Sequence, residues 1–198
     1  MIKAVLFDFG GVIAEEGFYN GLRAAATENS LDPDSFFRTA EEIIHTIGYV
    51  TGKATESEYW ERVRAATGIA RDNAYLREQV LSRFVLRPAM LGHADRLRKA
   101  GKRVCMLSDQ TDWLVELDSR SPFFSHFDKV YNSFFLKKSK RDITIFSDVC
   151  RDLDVHPEEA LFIDDNVNNI SRATAAGIKT ILFAGIEDFE DRLTGLGL

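Results

Sequence analysis

Three apolar stretches of the chain each end in side chains that can do chemistry. Asp8 follows the first stretch and precedes two glycines, Ser108 and Asp109 follow the second, and Asp164 and Asp165 follow the third. Short apolar runs of this kind are typical of buried strands, so each would deliver its polar side chains to the rim of a sheet. A carboxylate can attack phosphorus to give an aspartyl-phosphate, which divides hydrolysis into two easier displacements. We therefore interpret Asp8 as the candidate nucleophile.

Attack by one anion on another needs positive charge nearby. Mg²⁺ prefers oxygen ligands, commonly carboxylates together with phosphate and water, so the three aspartates that follow the first and third stretches would make a suitable site. The loop Leu136–Asp142 adds cations between the second and third stretches. Its Lys140, together with the hydroxyl of Ser108, would hold phosphate oxygens. We interpret Lys137 and Lys138 in the same loop as solvated side chains.

These groups can meet only if one sheet brings the ends of the strands together. Strand-like runs occur at five places, which are Lys3–Phe7, Arg103–Leu107, Lys129–Asn132, Ala160–Ile163 and Lys179–Phe183. Four of them are almost wholly apolar at their centres, as in parallel strands that helices cover on both faces. Two helical patterns end at Gly101 and Gly177, and a strand begins directly afterwards, because glycine takes the left-handed conformation that ends a helix. The pattern predicts a doubly wound α/β fold with a parallel sheet.

The segment 15–87 interrupts this alternation because it contains helical patterns and no convincing strand. Within it, Thr55 and Glu58 have the spacing of a capping box at the start of a helix. We predict an α/β core domain of residues 1–14 and 88–198 and a helical cap domain of residues 15–87. Ligands of open α/β sheets bind beyond the carboxyl ends of the strands, so a cap inserted directly after the first strand would cover the active site.

Composition and charge exclude several classes of function. The 198 residues are 45% hydrophobic and 28% charged, which is the balance of an ordinary globular protein. The formal charge of −6 provides no basic surface for nucleic acid, and no apolar stretch approaches the ~20 residues that span a bilayer. Cys105 and Cys150 are isolated, and the N-terminus has no leader pattern, so we expect a cytoplasmic protein with reduced cysteines. We expect a small-molecule substrate, no nucleic-acid or membrane partner, and a monomer or homodimer.

At these positions the chain resembles the haloacid dehalogenase superfamily, specifically its phosphatase-like members with a helical cap after motif I. Four short motifs match in order, and they are Phe7–Val12, Leu107–Asp109, Lys140 and Phe162–Asn166. The most similar branch contains sugar-phosphate phosphatases of the glucose-1-phosphatase type. The resemblance implies a Rossmann-like core and Mg²⁺-dependent hydrolysis of small phosphorylated metabolites, sugar phosphates among them.

The same resemblance implies a role for each matched residue. The roles are nucleophile and metal ligand for Asp8, metal ligand for Asp165 and for the carbonyl of Gly10, metal support for Asp164, and phosphate binding for Ser108, Asp109 and Lys140. Arg141 departs from the pattern, because many relatives have proline after the motif III lysine.

A second departure concerns proton transfer. The typical phosphatase motif I has an aspartate two positions after the nucleophile, which protonates the leaving alcohol and then activates water, whereas this chain and the branch it resembles have glycine, here Gly10. General acid–base catalysis commonly contributes ~10²–10⁴-fold. Its loss predicts a slow enzyme, a substrate with a good leaving group, or a substitute acid. Glu15 and Glu16 are the nearest candidates for that acid.

Two other functions remain open at this stage. A hydrolytic 2-haloacid dehalogenase uses the same aspartate against carbon and needs no metal, but Gly10 to Val12 fit poorly to the Gly-Thr that usually follows its nucleophile region. A regulator that binds a phospholigand without turnover is the second alternative. Retention of Asp8, Lys140 and both motif IV acids argues against it.

Overall fold

The computed structural model describes residues 1–198, and a parallel sheet lies at its centre. Its strands are β1 (Ala4–Phe7), β2 (Arg103–Ser108), β3 (Lys129–Asn132), β4 (Ala160–Asp164) and β5 (Lys179–Leu182). They lie in the order β3-β2-β1-β4-β5, and every neighbouring pair is parallel. All five predicted strands are therefore confirmed. Because β1 is the middle strand, Asp8 follows the centre of the sheet.

Successive side chains of the strands enter two different cores. Val5 and Phe7 of β1 lie in the larger core, whereas Leu6 lies in the smaller one with Phe146 and Phe162. Alternating side chains of a strand point to opposite faces of the sheet. Both faces are thus buried, which confirms the predicted doubly wound α/β architecture.

Four helices lie between β1 and β2. They are α1 (Gly17–Glu28), α2 (Pro33–Thr46), α3 (Glu56–Thr67) and α4 (Asn73–Leu81), and a short 3₁₀ turn covers Tyr49–Thr51. Thr55 and Glu58 form the predicted capping box at the start of α3. α1 packs closely on α4 through Gly21, because a Cβ at that position would lie 2.4 Å from the carbonyl oxygen of Gln79.

The chain enters and leaves this helical insertion through two adjacent stretches of backbone. The amide of Glu15 donates to the carbonyl of Val85 at 2.8 Å, and the amide of Arg87 donates to the carbonyl of Ile13 at 2.8 Å. Ala14 and Leu86 form an antiparallel bridge between the same stretches. The division into a core of residues 1–14 and 88–198 and a cap of residues 15–87 stays a prediction, and these hydrogen bonds lie at its two boundaries.

The remaining helices belong to the segment that carries β2 to β5. They are α5 (Pro88–Lys99), α6 (Trp113–Arg120), α7 (Ser133–Leu136), α8 (Thr144–Asp152), α9 (Val167–Ala175) and α10 (Ile186–Gly195), with 3₁₀ turns at Phe124–His126 and Pro157–Glu159. Gly101 and Gly177 have φ angles of 79° and 85°, which confirms the helix ends predicted there. None of the helices combines the length and the hydropathy that crossing a membrane requires.

A partly buried cluster of hydrogen bonds fixes the helical insertion on α6. Glu56 accepts a hydrogen bond from the indole of Trp60 at 3.0 Å and from the indole of Trp113 at 3.1 Å. The two indoles stack with their centroids 5.7 Å apart. Tyr49 donates its hydroxyl hydrogen to Asp112 at 2.7 Å. These contacts hold the insertion over the carboxyl edge of the sheet.

Candidate active site

The carboxyl ends of three neighbouring strands bring the predicted site residues together. Asp8 follows β1, Ser108 ends β2, and Asp164 ends β4. Asp109 and Asp165 are the next residues after β2 and β4. The last residue of β1 pairs with residues of both β2 and β4, so the three strand ends lie level. They form the floor of one cavity of about 660 Å³. The predicted residues that line it are Asp8, Gly10, Glu16, Ser108, Asp109, Lys140 and Asp165.

Lys140 is the buried cation of this floor. Its ammonium lies 2.8 Å from Asp8 Oδ1 and 2.7 Å from Asp164 Oδ2, and only 1% of the side chain is exposed. Burial alone would lower the pKa of Lys140, but the charges of Asp164, Asp8 and Asp109 raise it well above its usual value. Burial raises the pKa of Asp8, and the Lys140 ammonium opposes this change. The ion pair holds one oxygen of Asp8 in place.

The Asp109 carboxylate holds the main chain of Lys140 in position. The Asp109 carboxylate accepts two hydrogen bonds from the Lys140 amide, at 2.9 and 3.1 Å. The other two lysines of the loop lie elsewhere, since Lys137 donates to the carbonyl of Gly52 at 3.1 Å and Lys138 pairs with Asp148. Of the three lysines, only Lys140 lines the cavity.

The carboxylates of the floor fit a divalent cation. Asp8, Asp164 and Asp165 each offer an oxygen, and these oxygens lie within 4.8 Å of one another. A Cβ on Gly11 would lie 2.0 Å from Asp165 Oδ2, so only glycine lets Asp165 approach the loop after β1 this closely. Burial, and then the charge of Asp164, raises the pKa of Asp165, as expected for crowded acids. The all-oxygen donor set matches the preference of Mg²⁺.

The two candidate substitute acids have different surroundings. Glu15 forms two hydrogen bonds with the guanidinium of Arg87, at 3.0 and 3.1 Å, and does not line the main cavity. Glu16 does line it, and its Oε1 accepts a hydrogen bond from the amide of Tyr19 at 3.3 Å at the start of α1. Glu16 Oε2 lies 2.6 Å from the point that a Cβ on Gly10 would occupy. The Glu16 carboxyl therefore fills the space that a side chain at Gly10 would take.

Two further observations concern Glu16. Burial, followed by the charge of Asp165, raises its pKa to about 7 in the metal-free protein. Glutamate is also not among the residues favoured at a helix N-cap, where the shorter serine, threonine, aspartate and asparagine fit better. Capping of α1 alone therefore does not account for a glutamate at this position.

Residues of the helical insertion and of α9 form the outer wall of the cavity, and the sequence analysis did not identify them. The insertion contributes Phe18, Tyr19, Phe37, Glu41, Ile44, His45 and Val50, and α9 contributes Asn168, Asn169 and Arg172. Helical spacing was the available signal, because positions 37, 41 and 44 share one face of α2. The periodicity does not say which face turns toward the strand ends.

His45 is one of these wall residues. The residue is partly buried and belongs to α2. Burial and the charge of Arg141 lower the pKa of His45 to about 4. His45 is therefore neutral at pH 7 and can offer one hydrogen-bond donor and one acceptor.

The strand order, the helical insertion and the acidic rim are those of Rossmann-like α/β proteins with a capped site at the carboxyl ends of the strands. The family model of the haloacid dehalogenase-like hydrolases matches residues 2–177. The chain therefore belongs to the haloacid dehalogenase-like hydrolase family, which confirms the resemblance seen in the sequence.

Curated relatives match over different lengths. D-ribitol-5-phosphate phosphatase of Bacteroides thetaiotaomicron is 27% identical over 206 residues, which cover 98% of each chain. Protein CbbY of Cereibacter sphaeroides is 24% identical over 98% of this chain and 90% of its own length. Drimenol cyclase drtB of Aspergillus calidoustus is 30% identical over 70 residues, which cover 35% of this chain and only 13% of that protein.

Solved structures share the whole fold. A family enzyme of Bacteroides thetaiotaomicron, in complex with magnesium and inorganic phosphate, has a TM-score of 0.74 and 25% identity over 94% of this chain and 96% of that chain. A predicted family hydrolase of Porphyromonas gingivalis has a TM-score of 0.74 and 26% identity over 99% of this chain and 98% of that chain. The L-2-haloacid dehalogenase of Xanthobacter autotrophicus shares the fold alone. Its identity is 19% and its TM-score is 0.67, over 91% of this chain and 76% of that chain.

Proposed function

We propose that the protein is a Mg²⁺-dependent phosphatase of small phosphorylated metabolites, sugar phosphates among them. The observation that carries the proposal is the cluster of Asp8, Lys140, Asp164 and Asp165 at the floor of the capped cavity. Similarity to D-ribitol-5-phosphate phosphatase, and to a family structure that holds magnesium and phosphate, supports it.

Asp8 would act as the nucleophile in the first half of the reaction and as the leaving group in the second. In the first, a carboxylate oxygen of Asp8 forms a bond to phosphorus, the bond from phosphorus to the leaving oxygen breaks, and the alcohol departs with a proton. In the second, water attacks the phosphorus of the aspartyl-phosphate and loses a proton, which releases phosphate and restores the Asp8 carboxylate. The Lys140 ammonium orients Asp8 by holding its Oδ1.

Side-chain and main-chain donors at the floor would bind the phosphoryl oxygens. Two are side chains, the hydroxyl of Ser108 and the ammonium of Lys140. Three are main-chain amides that make no hydrogen bond within the protein, those of Phe9, Gly10 and Asp109. Asp109 would thus bind phosphate through its N–H while its carboxylate holds the main chain of Lys140. Fixed donors of this kind stabilise charge without reorganising during the reaction.

Asp8, Asp165 and the carbonyl of Gly10 would hold Mg²⁺, with Asp164 supporting the site. The bound cation supplies the charge neutralisation that lets an anionic nucleophile approach an anionic phosphate. Asp164 is fully buried and accepts hydrogen bonds from the amide of Asn166 at 2.7 Å and from the side chain of Asn169 at 3.1 Å. These bonds keep its carboxylate rigid beside the metal site.

We assign the missing acid–base role to Glu16 and not to Glu15. The Glu16 carboxyl stands where a side chain at Gly10 would stand, whereas the Glu15 carboxylate is engaged by Arg87. Glu16 would donate a proton to the leaving oxygen in the first half-reaction and accept one from water in the second.

Activity against a panel of sugar phosphates and p-nitrophenyl phosphate, with Mg²⁺ and with excess chelator, tests the proposal. Asp8→Asn is nearly isosteric but replaces the anionic nucleophile by a neutral amide, so we expect a folded protein without turnover. Circular dichroism provides the folding control. Wild-type activity in Asp8→Asn would refute the assignment of the nucleophile.

Two outcomes would favour the alternatives. Halide release from 2-chloropropionate in excess chelator would indicate a dehalogenase. Binding of a sugar phosphate with no turnover would indicate a regulator. We also propose a cytoplasmic location, which agrees with Cys105 and Cys150 being buried free thiols.

A further inference from the structure

Arg172 of α9 is a cavity-lining cation with no acidic partner. Its guanidinium donates one hydrogen bond within the protein, to Asn169 Oδ1 at 3.3 Å. No carboxylate lies within ion-pair distance of it, although the structure contains many arginine–carboxylate pairs, such as Arg120 with Glu78 at 2.9 Å. An arginine presents five donors, so most of those of Arg172 remain free to bind a ligand.

Arg141 brings a second guanidinium to the same cavity from the loop that carries Lys140. Its nearest carboxylate is Glu41 of the cap, at 3.9 Å, which is beyond hydrogen-bonding distance. The Arg141 side chain is 51% exposed, so it can turn toward a ligand without losing a strong ion pair. Its positive charge reaches the cavity, because it is one cause of the low pKa of His45.

Arg172 lies in the second turn of α9, the helix that begins just after β4. Arg172 comes five residues after Val167, the first residue of α9, so its Cα lies about 7.5 Å further along the helix axis. Side chains of a helix tilt toward its N-terminus, so the guanidinium points back toward the floor. The free donors therefore face the cavity, which Arg172 lines together with Asn169.

We propose that Arg172 and Arg141 form a second anion-binding subsite, and that the preferred substrates carry a carboxylate or a second phosphate besides the phosphate that is hydrolysed. This inference rests on the proposed phosphatase function and narrows its substrate class. Guanidinium groups suit both kinds of anion because their planar donors bind carboxylate and phosphate in bidentate fashion. Asn168, which also lines the cavity, offers a further side-chain amide for hydroxyl groups between the two anions.

Matched pairs of substrates test the inference. 3-Phosphoglycerate and glycerol 3-phosphate differ by one carboxylate, and fructose 1,6-bisphosphate and fructose 6-phosphate differ by one phosphate. We expect wild-type kcat/KM to be higher for the more anionic member of at least one pair by about tenfold or more. Arg172→Ala should reduce that ratio about tenfold, mainly through KM, and Arg172→Lys should reduce it less. Arg141→Ala should also lower the ratio, which provides a second variant if Arg172→Ala does not fold.

Arg151→Ala is the matched control, because Arg151 is an arginine of α8 that is 76% exposed and lies outside the cavity. It should keep the wild-type ratio. Equal wild-type rates within both pairs would overturn the inference. So would a loss in Arg172→Ala that is the same for both members of a pair, since Arg172 would then act only by orienting Asn169 and, through it, Asp164. Absence of any Asp8-dependent hydrolysis, p-nitrophenyl phosphate included, would overturn the proposed function and this inference with it.

Discussion

Replacing Gly10 by alanine would displace Glu16 without removing it. Gly10 does not have a positive φ, so the backbone accepts alanine. The added methyl group would lie 2.6 Å from Glu16 Oε2 and 3.4 Å from a ring carbon of Phe84. The contact with Phe84 is close to an ordinary one. The Glu16 carboxyl must instead move by about 0.8 Å to reach a similar separation.

The size of this displacement sets the expected effect. A misplacement of about 1 Å can cost a catalytic group about 10²-fold, which corresponds to about 3 kcal/mol in the barrier. We expect kcat/KM of Gly10→Ala toward an alkyl phosphate to fall by about that factor, and that of Glu16→Gln to fall by ~10²–10⁴-fold. Both changes act through the same carboxyl. The double variant should therefore be no worse than Glu16→Gln alone.

Rates for substrates with different leaving groups distinguish loss of the general acid from a general loss of activity. p-Nitrophenolate leaves well without a proton, so both variants should hydrolyse p-nitrophenyl phosphate far better than an alkyl phosphate, and their rates should depend steeply on leaving-group pKa. The wild type should show a shallow dependence. Glu15→Gln is the matched control and should behave as wild type. Fully additive effects in the double variant, or equal losses with both substrates at unchanged Mg²⁺ affinity, would refute the role of Glu16.

Three further predictions concern acids of the site. Asp165→Ala should weaken Mg²⁺ binding in calorimetric titrations more than Asp164→Ala does, because Asp165 is the exposed carboxylate next to the loop after β1. Asp164→Ala should instead lower the free energy of unfolding in urea by about 3 kcal/mol, since it removes an acid that compensates the buried Lys140 ammonium. An unchanged free energy of unfolding would contradict the ion pair. In the metal-free protein, the Glu16 pKa is raised from 4.5 to about 7, so the folded state binds this proton more tightly and stability falls as pH rises through that window. Glu16→Gln should abolish this fall and raise Tm above pH 7 by the equivalent of about 3 kcal/mol, with no gain at pH 4. An identical gain at both pH values would exclude titration of Glu16 as its cause.

Much of the fold could be predicted because the signals are local. The strands are short apolar runs, and a strand buried on both faces needs little else in its sequence. Gly101 and Gly177 mark helix ends because a positive φ is a property of the single residue. Parallel strands place their carboxyl ends at one edge, so Asp8, Ser108 and Asp164 had to meet once the strands were known.

Other features depend on contacts between distant parts of the chain. Lys137, Lys138 and Lys140 have the same chemistry in the sequence, and the Asp109 carboxylate, 31 residues before Lys140, positions the main chain of that lysine. The resemblance to known motifs identified Lys140, whereas its burial between two aspartates is a result of packing.

The sequence by itself determined the α/β class, the strand ends and the set of groups available for phosphoryl chemistry, because those properties are local or follow from parallel pairing. Only the tertiary structure separated Glu15 from Glu16. The two are adjacent in the chain, and the pairing of this linker with the stretch around Arg87 turns Glu15 toward that arginine and leaves Glu16 over Gly10. It also decided which faces of α2 and α9 line the cavity, since the orientation of a helix about its axis is set by the elements that pack against it.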